Sequence, residues 1–258
     1  MHEKTIDLNC DMGESFGVYS LGMDDQVMPY ISSANIACGW HAGDPLVMKQ
    51  TINLAVSAGV GCGAHPGYPD RMGFGRRAMA VSAEELYCYL VYQIGAISAF
   101  CNAAGVPLRH VKPHGSLYLT AVEDEKTADA VARAIVDVNP ALIYVALAGR
   151  KGGMMARIGR GHGLKLAYEG FPDRAYTPEG TLVPRSQPGA VIHDPQEVMR
   201  RAVCMATQGC IQAVNGDMIE LQVDTLCVHG DNPKAALAVR GIRQALTDAQ
   251  VRVCPMDV

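Results

Sequence analysis

Seven short apolar runs, most of them followed by a helical pattern, constrain the fold of this chain more than any other feature. They are TIDLN (5–9), ANIAC (34–38), GVGCGA (59–64), HVKP (110–113), LIYVALA (142–148), LKLAYE (164–169) and DTLCVH (224–229). Strands separated by helices, with few hairpin signals between them, must pair in parallel through crossovers. The clearest helix is SAEELYCYLVYQIGAISAFCNAAG (82–105), where Ser82 and Glu85 form a capping box. Its residues Leu86, Leu90, Ile94, Ile97 and Cys101 make one apolar stripe. Asp44-Pro45, Asp194-Pro195 and Asn232-Pro233 each put an N-cap residue before a proline suited to the first helical position. Segment 123–138 is helical in pattern as well. These elements predict one α/β domain spanning residues 1–258, a barrel or barrel-like closed sheet, with an open doubly wound sheet as the alternative.

Residues 170–193, GFPDRAYTPEGTLVPRSQPGAVIH, depart from the pattern. Glycine and proline run through them, and no helical stripe is present. A connection of that length in a compact domain is usually functional, disordered, or a hairpin that covers something. Its apolar pieces, TLV and AVI, are expected to form a small hairpin acting as a lid.

A chain of 258 residues, 49% of them hydrophobic, can bury a barrel-sized core. Its formal net charge of -4 gives no basis for binding nucleic acid or an anionic membrane surface. The start, MHEKTIDLNCD, lacks the apolar run of a signal peptide or membrane span, so the chain reads as cytoplasmic. Nine cysteines occur without a CxxC pair, which fits a reduced chain using cysteine as a small buried hydrophobe, not a cysteine-rich zinc site.

In parallel α/β folds the reacting residues gather at the C-terminal ends of the strands. Asn9, Asp11 and Glu14 follow the first run, His41 and Asp44 the second, and His65 the third. The fourth carries Lys112 and His114, the sixth ends at Glu169, and the last leads to His229 and Asp231. Four of the eight histidines thus fall at strand ends. Asp44 reads first as a helix cap, while His110 and His162 sit at strand entrances and read as structural. A carboxylate at a strand exit is expensive unless used, which singles out Asp11. The loop GYPDRMGFGRR (67–77) adds Arg71, Arg76 and Arg77 near the mouth, where arginine suits a carboxylate or phosphate. For each of the three taken singly, a solvated basic loop is the plainer reading.

The segments DLNCDMGE, ANIACGWHAGDP, GAHPGYPD with GFGRR, VKPHGSLY, FPDRAY, LVPRSQPGAVI and VHGDNP, in that order, closely resemble the LamB/YcsF family. One departure is Gly170, where the family more often has a branched or another small residue. The resemblance implies a (β/α)7-type barrel of the glycoside hydrolase/deacetylase kind. It also implies the A-subunit role in an ATP-dependent 5-oxoprolinase, which opens 5-oxo-L-proline to L-glutamate as ATP becomes ADP and phosphate. Two companions, the B and C subunits, are implied with it, and self-association is left open.

The chain has no GxxxxGK[ST] loop, the nearest glycine-rich stretch being GRKGGMM (149–155). Phosphorylation, with ATP and its Mg, is therefore expected mainly in the companions, and ring opening here. Asp11 is expected to act as base or orienting acid, with His41, His65 and His114 as proton carriers or ligands. Substrate contacts are expected from Asn9, Glu14, Arg76, Lys112, Glu169, His229 and Asp231. Amide activation by phosphorylation does not require a Lewis acid, so no tightly bound metal is expected. The rivals are a metal-dependent deacetylase or amidohydrolase and a non-catalytic substrate-binding subunit.

Overall fold

A computed structural model describes residues 3–149, 152–230 and 233–257. Seven parallel strands close into a barrel: β1 (Lys4–Met12), β2 (Ser33–Ala37), β3 (Gly61–His65), β4 (Leu108–Val111), β5 (Ile143–Leu147), β6 (Lys165–Gly170) and β9 (Thr225–Val228). Closure is made by β9, which pairs with β6 on one side and with Asp7–Cys10 of β1 on the other. The open-sheet alternative is thereby excluded, and all seven runs read from the sequence are strands of the barrel.

Around the barrel lie α1 (Asp24–Val27), α2 (Pro45–Ala58), α3 (Ala83–Ala103), α4 (Gly115–Glu123), α5 (Glu125–Val138), α6 (Gly153–Gly161), α7 (Pro195–Gln208) and α8 (Pro233–Asp248). The predicted caps hold where they are described. Asp44 accepts hydrogen bonds from the amides of Leu46 and Val47, and Asp194 accepts one from Gln196. Ser82 and Glu85 form the capping box, and the α3 stripe from Leu86 to Cys101 is buried. By length and composition α3 is the single described helix that could cross a bilayer; in the fold that stripe faces the core, and α3 packs on α5. The expected cap Asn232 lies outside the described residues.

Several pieces have no counterpart in the sequence reading. The helices α4 and α6 each start on a glycine without a side-chain cap. The antiparallel pair β7 (Cys210–Gln212) and β8 (Met218–Glu220) stands apart from the barrel. Finally, β10 (Val251–Val253) runs parallel to Lys4–Ile6 of β1, extending the wall where β9 has not yet begun.

Residues 170–193 are ordered differently from the expected hairpin. TLV and AVI do not pair with each other; both pair with the stretch around Arg174 and Tyr176 that lies between them. The Ala175 amide donates to Ala190 O at 3.0 Å, and the Val183 amide donates to Ala175 O at 3.0 Å. Pro184 and Pro188, which lack N–H donors, separate TLV from AVI and disfavour a ladder between them. The Arg174 guanidinium donates to Ala190 O and Val183 O and ties the three passes together. At Gly170 the space is taken instead by Val223, whose Cγ1 would stand 2.7 Å from an added Cβ.

Candidate active site

Strand alternation decides what fills the barrel. In β1 the residues Ile6, Leu8, Cys10 and Met12 belong to the buried apolar core, while Asp7, Asn9 and Asp11 reach partners on other strands. Asp7 at the bottom accepts from the hydroxyls of Ser32, Ser33 and Thr225. One level up, Asn9 Nδ2 donates to Thr225 Oγ1 at 2.6 Å and its Oδ1 accepts from Asn35 Nδ2 at 2.7 Å. Asn35 Nδ2 also donates to Asp11 Oδ1 at 2.9 Å. In β4 and just beyond it, His110, Lys112 and His114 alternate in the same way. His110 Nε2 meets Asn35 Oδ1 at 2.7 Å, so this histidine lies inside the barrel instead of on its far face, and is structural there. His162 is on the outside, paired with Asp129.

At the mouth, Lys112 Nζ lies 2.9 Å from both Asp11 Oδ1 and Glu169 Oε1. Tyr118 donates to the other oxygen of Glu169 at 3.0 Å. Burial opposes the charge of Lys112, but Asp11, Cys227 and Glu169 overcome this and push its pKa well above the usual range. Burial likewise raises the Asp11 carboxyl, and its contacts with His65 and Lys112 outweigh this, holding that carboxyl well below its ordinary value. Asp11 is thus an ionised group facing the cavity with 22% of its side chain exposed.

Behind Asp11 the three expected histidines converge. His65 Nδ1 is 2.7 Å from Lys112 O, and its Nε2 is 3.3 Å from Asp11 Oδ2 and 3.0 Å from His114 Nδ1. His114 Nε2 is 2.7 Å from Phe74 O. The His41 ring stacks on His114 with centroids 3.7 Å apart, and its Nε2 is 3.9 Å from Glu14 Oε1. Glycines make room for these rings: a Cβ at Gly67 would lie 2.8 Å from His41 Nδ1, and one at Gly75 2.8 Å from both His41 and His114. Burial, followed by the neighbouring imidazoles, lowers the pKa of His41 and brings that of His114 down to about 3.

A cavity of about 310 Å³, a size suited to a small molecule, opens beside Asp11 and Glu14, and the three histidines lie buried behind its lining. Asp11, Glu14, Phe74, Arg76, Arg185 and His229 line it, with Met12, Met23 and Val27 on an apolar side. Arg76 holds its guanidinium 5.1 Å over the Phe74 ring. Of the other loop arginines, Arg71 donates to Gly39 O and Gly43 O, and Arg77 pairs with Asp70, so both are structural. His229 Nδ1 is 2.7 Å from Asp173 Oδ2.

Not every expected contact residue reaches the cavity. Asn9, 1% exposed, and Glu169, fully buried, lie beneath the mouth and hold Asn35, Lys112 and Tyr118, which corrects their assignment to substrate contact. Lys112 too is buried among acceptors, so it acts on the cavity through Asp11. Asp231 lies outside the described residues. Sequence reasoning missed Arg185, Asn35 and Asp7. Arg185 sits in the glycine- and proline-rich lid, and the signal for Asn35 and Asp7 was a polar residue at every second position of a buried strand.

A family model described as the LamB/YcsF family matches residues 6–258. The chain is similar to the A subunit of 5-oxoprolinase from Pyrococcus furiosus, at 56% identity over 251 residues, 97% of each chain. Against the A subunit of 5-oxoprolinase from Syntrophobacter fumaroxidans the identity is 52% over 250 residues, 97% of this chain and 98% of the other. The crystal structure of a lactam utilization protein from Thermus thermophilus superposes with a TM-score of 0.92 at 47% identity, covering 97% of this chain and 99% of that one.

Proposed function

The chain belongs to the LamB/YcsF family, and from that premise we propose that it is the A subunit of an ATP-dependent 5-oxoprolinase, acting with the companion B and C subunits. The observation that carries this reading is an ionised Asp11, anchored by a buried lysine, facing a small-molecule cavity with Arg76 and Arg185 at its rim. The names of the two relatives, both A subunits of 5-oxoprolinase, agree with it.

A five-membered lactam is an unreactive amide. Transfer of a phosphoryl group from ATP to its oxygen, assigned here to the companions, makes the ring carbon electrophilic. Water then attacks that carbon while Asp11 Oδ2 receives a proton. The ring C–N bond breaks, the nitrogen taking a proton as it leaves, and a second water releases phosphate from the resulting acyl phosphate to give glutamate. Arg76 and Arg185 suit the substrate carboxylate or the transferred phosphoryl group.

The test is glutamate release by the three purified proteins with ATP, omitting each in turn. The expected outcome is turnover by the complete mixture alone. Full-rate glutamate formation without this chain, or by this chain on its own, would overturn the assignment.

A further inference from the structure

We propose that Glu14, His41, His65 and His114 together bind one first-row divalent metal ion, Zn²⁺ in preference to Mg²⁺, behind the side of the cavity that Asp11 and Glu14 line. This departs from the metal-free expectation of the sequence, and it deepens the ring-opening reading, on which its catalytic use rests. The donors arrive on four separate segments: the turn after β1, the loop after β2, the end of β3 and the residue before α4. One ligand atom from each lies within 4.8 Å of all the others.

The hydrogen-bond pattern explains why a cation belongs there. His65 Nδ1 faces the carbonyl oxygen of Lys112, and His114 Nε2 faces that of Phe74. Carbonyls only accept, so each of those nitrogens carries the hydrogen. In the neutral rings this leaves lone pairs on His65 Nε2 and His114 Nδ1, which point at one another across 3.0 Å. Asp11 Oδ2, another electron-pair donor, is 3.3 Å from His65 Nε2. Three electron pairs repel unless a positive charge joins them. His41 adds a second observation: it is 1% exposed and neither ring nitrogen has a hydrogen-bond partner among the described residues. A buried polar group left in that state is costly, and metal ligation satisfies it.

An extra proton is the competing source of charge. On either facing nitrogen it would join that pair, but it would leave both ring nitrogens of buried His41 without a partner, whereas one ion serves all four donors. Three imidazoles and a carboxylate are a donor set for zinc, whereas magnesium and calcium take oxygen. Bonds of ~2.1 Å would need the rings of His41 and His114, stacked in parallel planes here, to tilt toward a common point while Glu14 closes from the cavity side. The consequence for the reaction is a better match of acid to base. A bound divalent ion would bring the pKa of a water it holds to about 7, which would ease the proton transfer assigned to Asp11.

The test uses the chain alone, stripped with chelator and titrated with Zn²⁺ against a chromophoric competitor, with no substrate, nucleotide or companion present. One equivalent should bind below micromolar concentration, unaffected by millimolar Mg²⁺. His65→Gln and His114→Gln should each weaken binding at least 100-fold, and His162→Gln, on the outer surface, should leave it unchanged. Should either variant melt early, His41→Gln, which breaks no hydrogen bond, must still show the loss. Absence of binding at micromolar Zn²⁺ would overturn the proposal. So would one-equivalent binding that survives His41→Gln, which would place the ion elsewhere, for instance at the Cys204–Cys210 pair, whose sulfurs lie 3.6 Å apart. Because no substrate enters this titration, its failure leaves ring opening at Asp11 intact. Failure of the three-protein glutamate measurement in turn leaves the metal site intact.

Discussion

Asp11 and Lys112 form a unit in which each keeps the other charged at the edge of the cavity. Lys112 also holds Glu169 at 2.9 Å, so the lysine keeps a counter-charge when Asp11 is neutralised. Asp11→Asn therefore removes the proton acceptor without leaving a bare buried cation. In the complete three-protein mixture, glutamate formation should fall by ~10²–10⁴, the usual contribution of a general base. The melting temperature of the variant should stay within a few degrees of the parent. A variant that keeps its rate, or one that melts far earlier, would remove Asp11 from the role of base.

Elements place these groups, and two of them yield tests of their own. The lid carries Arg185 to the cavity that Arg76 also lines, while buried Arg174 fixes its three passes. A charged hydrogen bond is worth about 1.5–3 kcal/mol, so Arg185→Gln should raise KM for 5-oxoproline or its activated form by roughly tenfold or more. The change in kcat should be smaller, and a fall in kcat at constant KM would show that Arg185 serves chemistry instead of binding. In β3, a Cβ on Gly63 would stand 2.0 Å from His110 Nε2. Overpacking of that kind costs about 1–3 kcal/mol or more, so Gly63→Ala should be strongly destabilised in urea unfolding. Adding His110→Ala opens the space the methyl needs. The double variant should accordingly lose much less stability than the two single changes summed.

At the scale of the whole molecule, the barrel interior is a stack of polar groups, and two of them act on stability in opposite directions with pH. Burial pushes the Asp7 carboxyl up to about 6, against its three hydroxyl partners. It holds its proton more tightly folded than unfolded, so its contribution is present at low pH and lost as pH rises toward 6. Burial and Lys112 push His110 down to about 3 from 6.5. The unfolded chain takes that proton first, so this contribution is lost as pH falls below about 6.5. Each slope can reach ~1.4 kcal/mol per pH unit, and between pH 4 and 6 they offset one another. His110→Gln removes one of them. Urea unfolding at pH 6, 5 and 4 should show the difference between variant and parent moving steadily in favour of the variant. A flat difference would mean that His110 does not titrate in this window.

The sequence by itself determined the seven barrel strands, α3 with its cap, and the gathering of Asp11, His41, His65 and His114 at one end. These follow from local patterns: apolar period, capping residues, and polar side chains just past a strand. It also carried the family, through motifs in fixed order. Local pattern could not decide which polar groups lie in the cavity and which beneath it. Asn9 and Glu169 follow the same strand-end rule as Asp11, yet barrel closure by β9 buries both. Nor could it pair the lid, whose short runs choose partners only once Arg174 is set among their carbonyls. Helices α4 and α6 escaped because they open on glycine without a cap, and packing on α5 gives them a stability that their sequence does not advertise. Tertiary structure alone turned Glu14 toward His41: Gly13, at φ 67°, bends the chain as it leaves β1. Strand ends supply a side chain's chemistry locally, but its depth, and so whether it meets substrate, metal or only its neighbours, is set by residues far away in the chain.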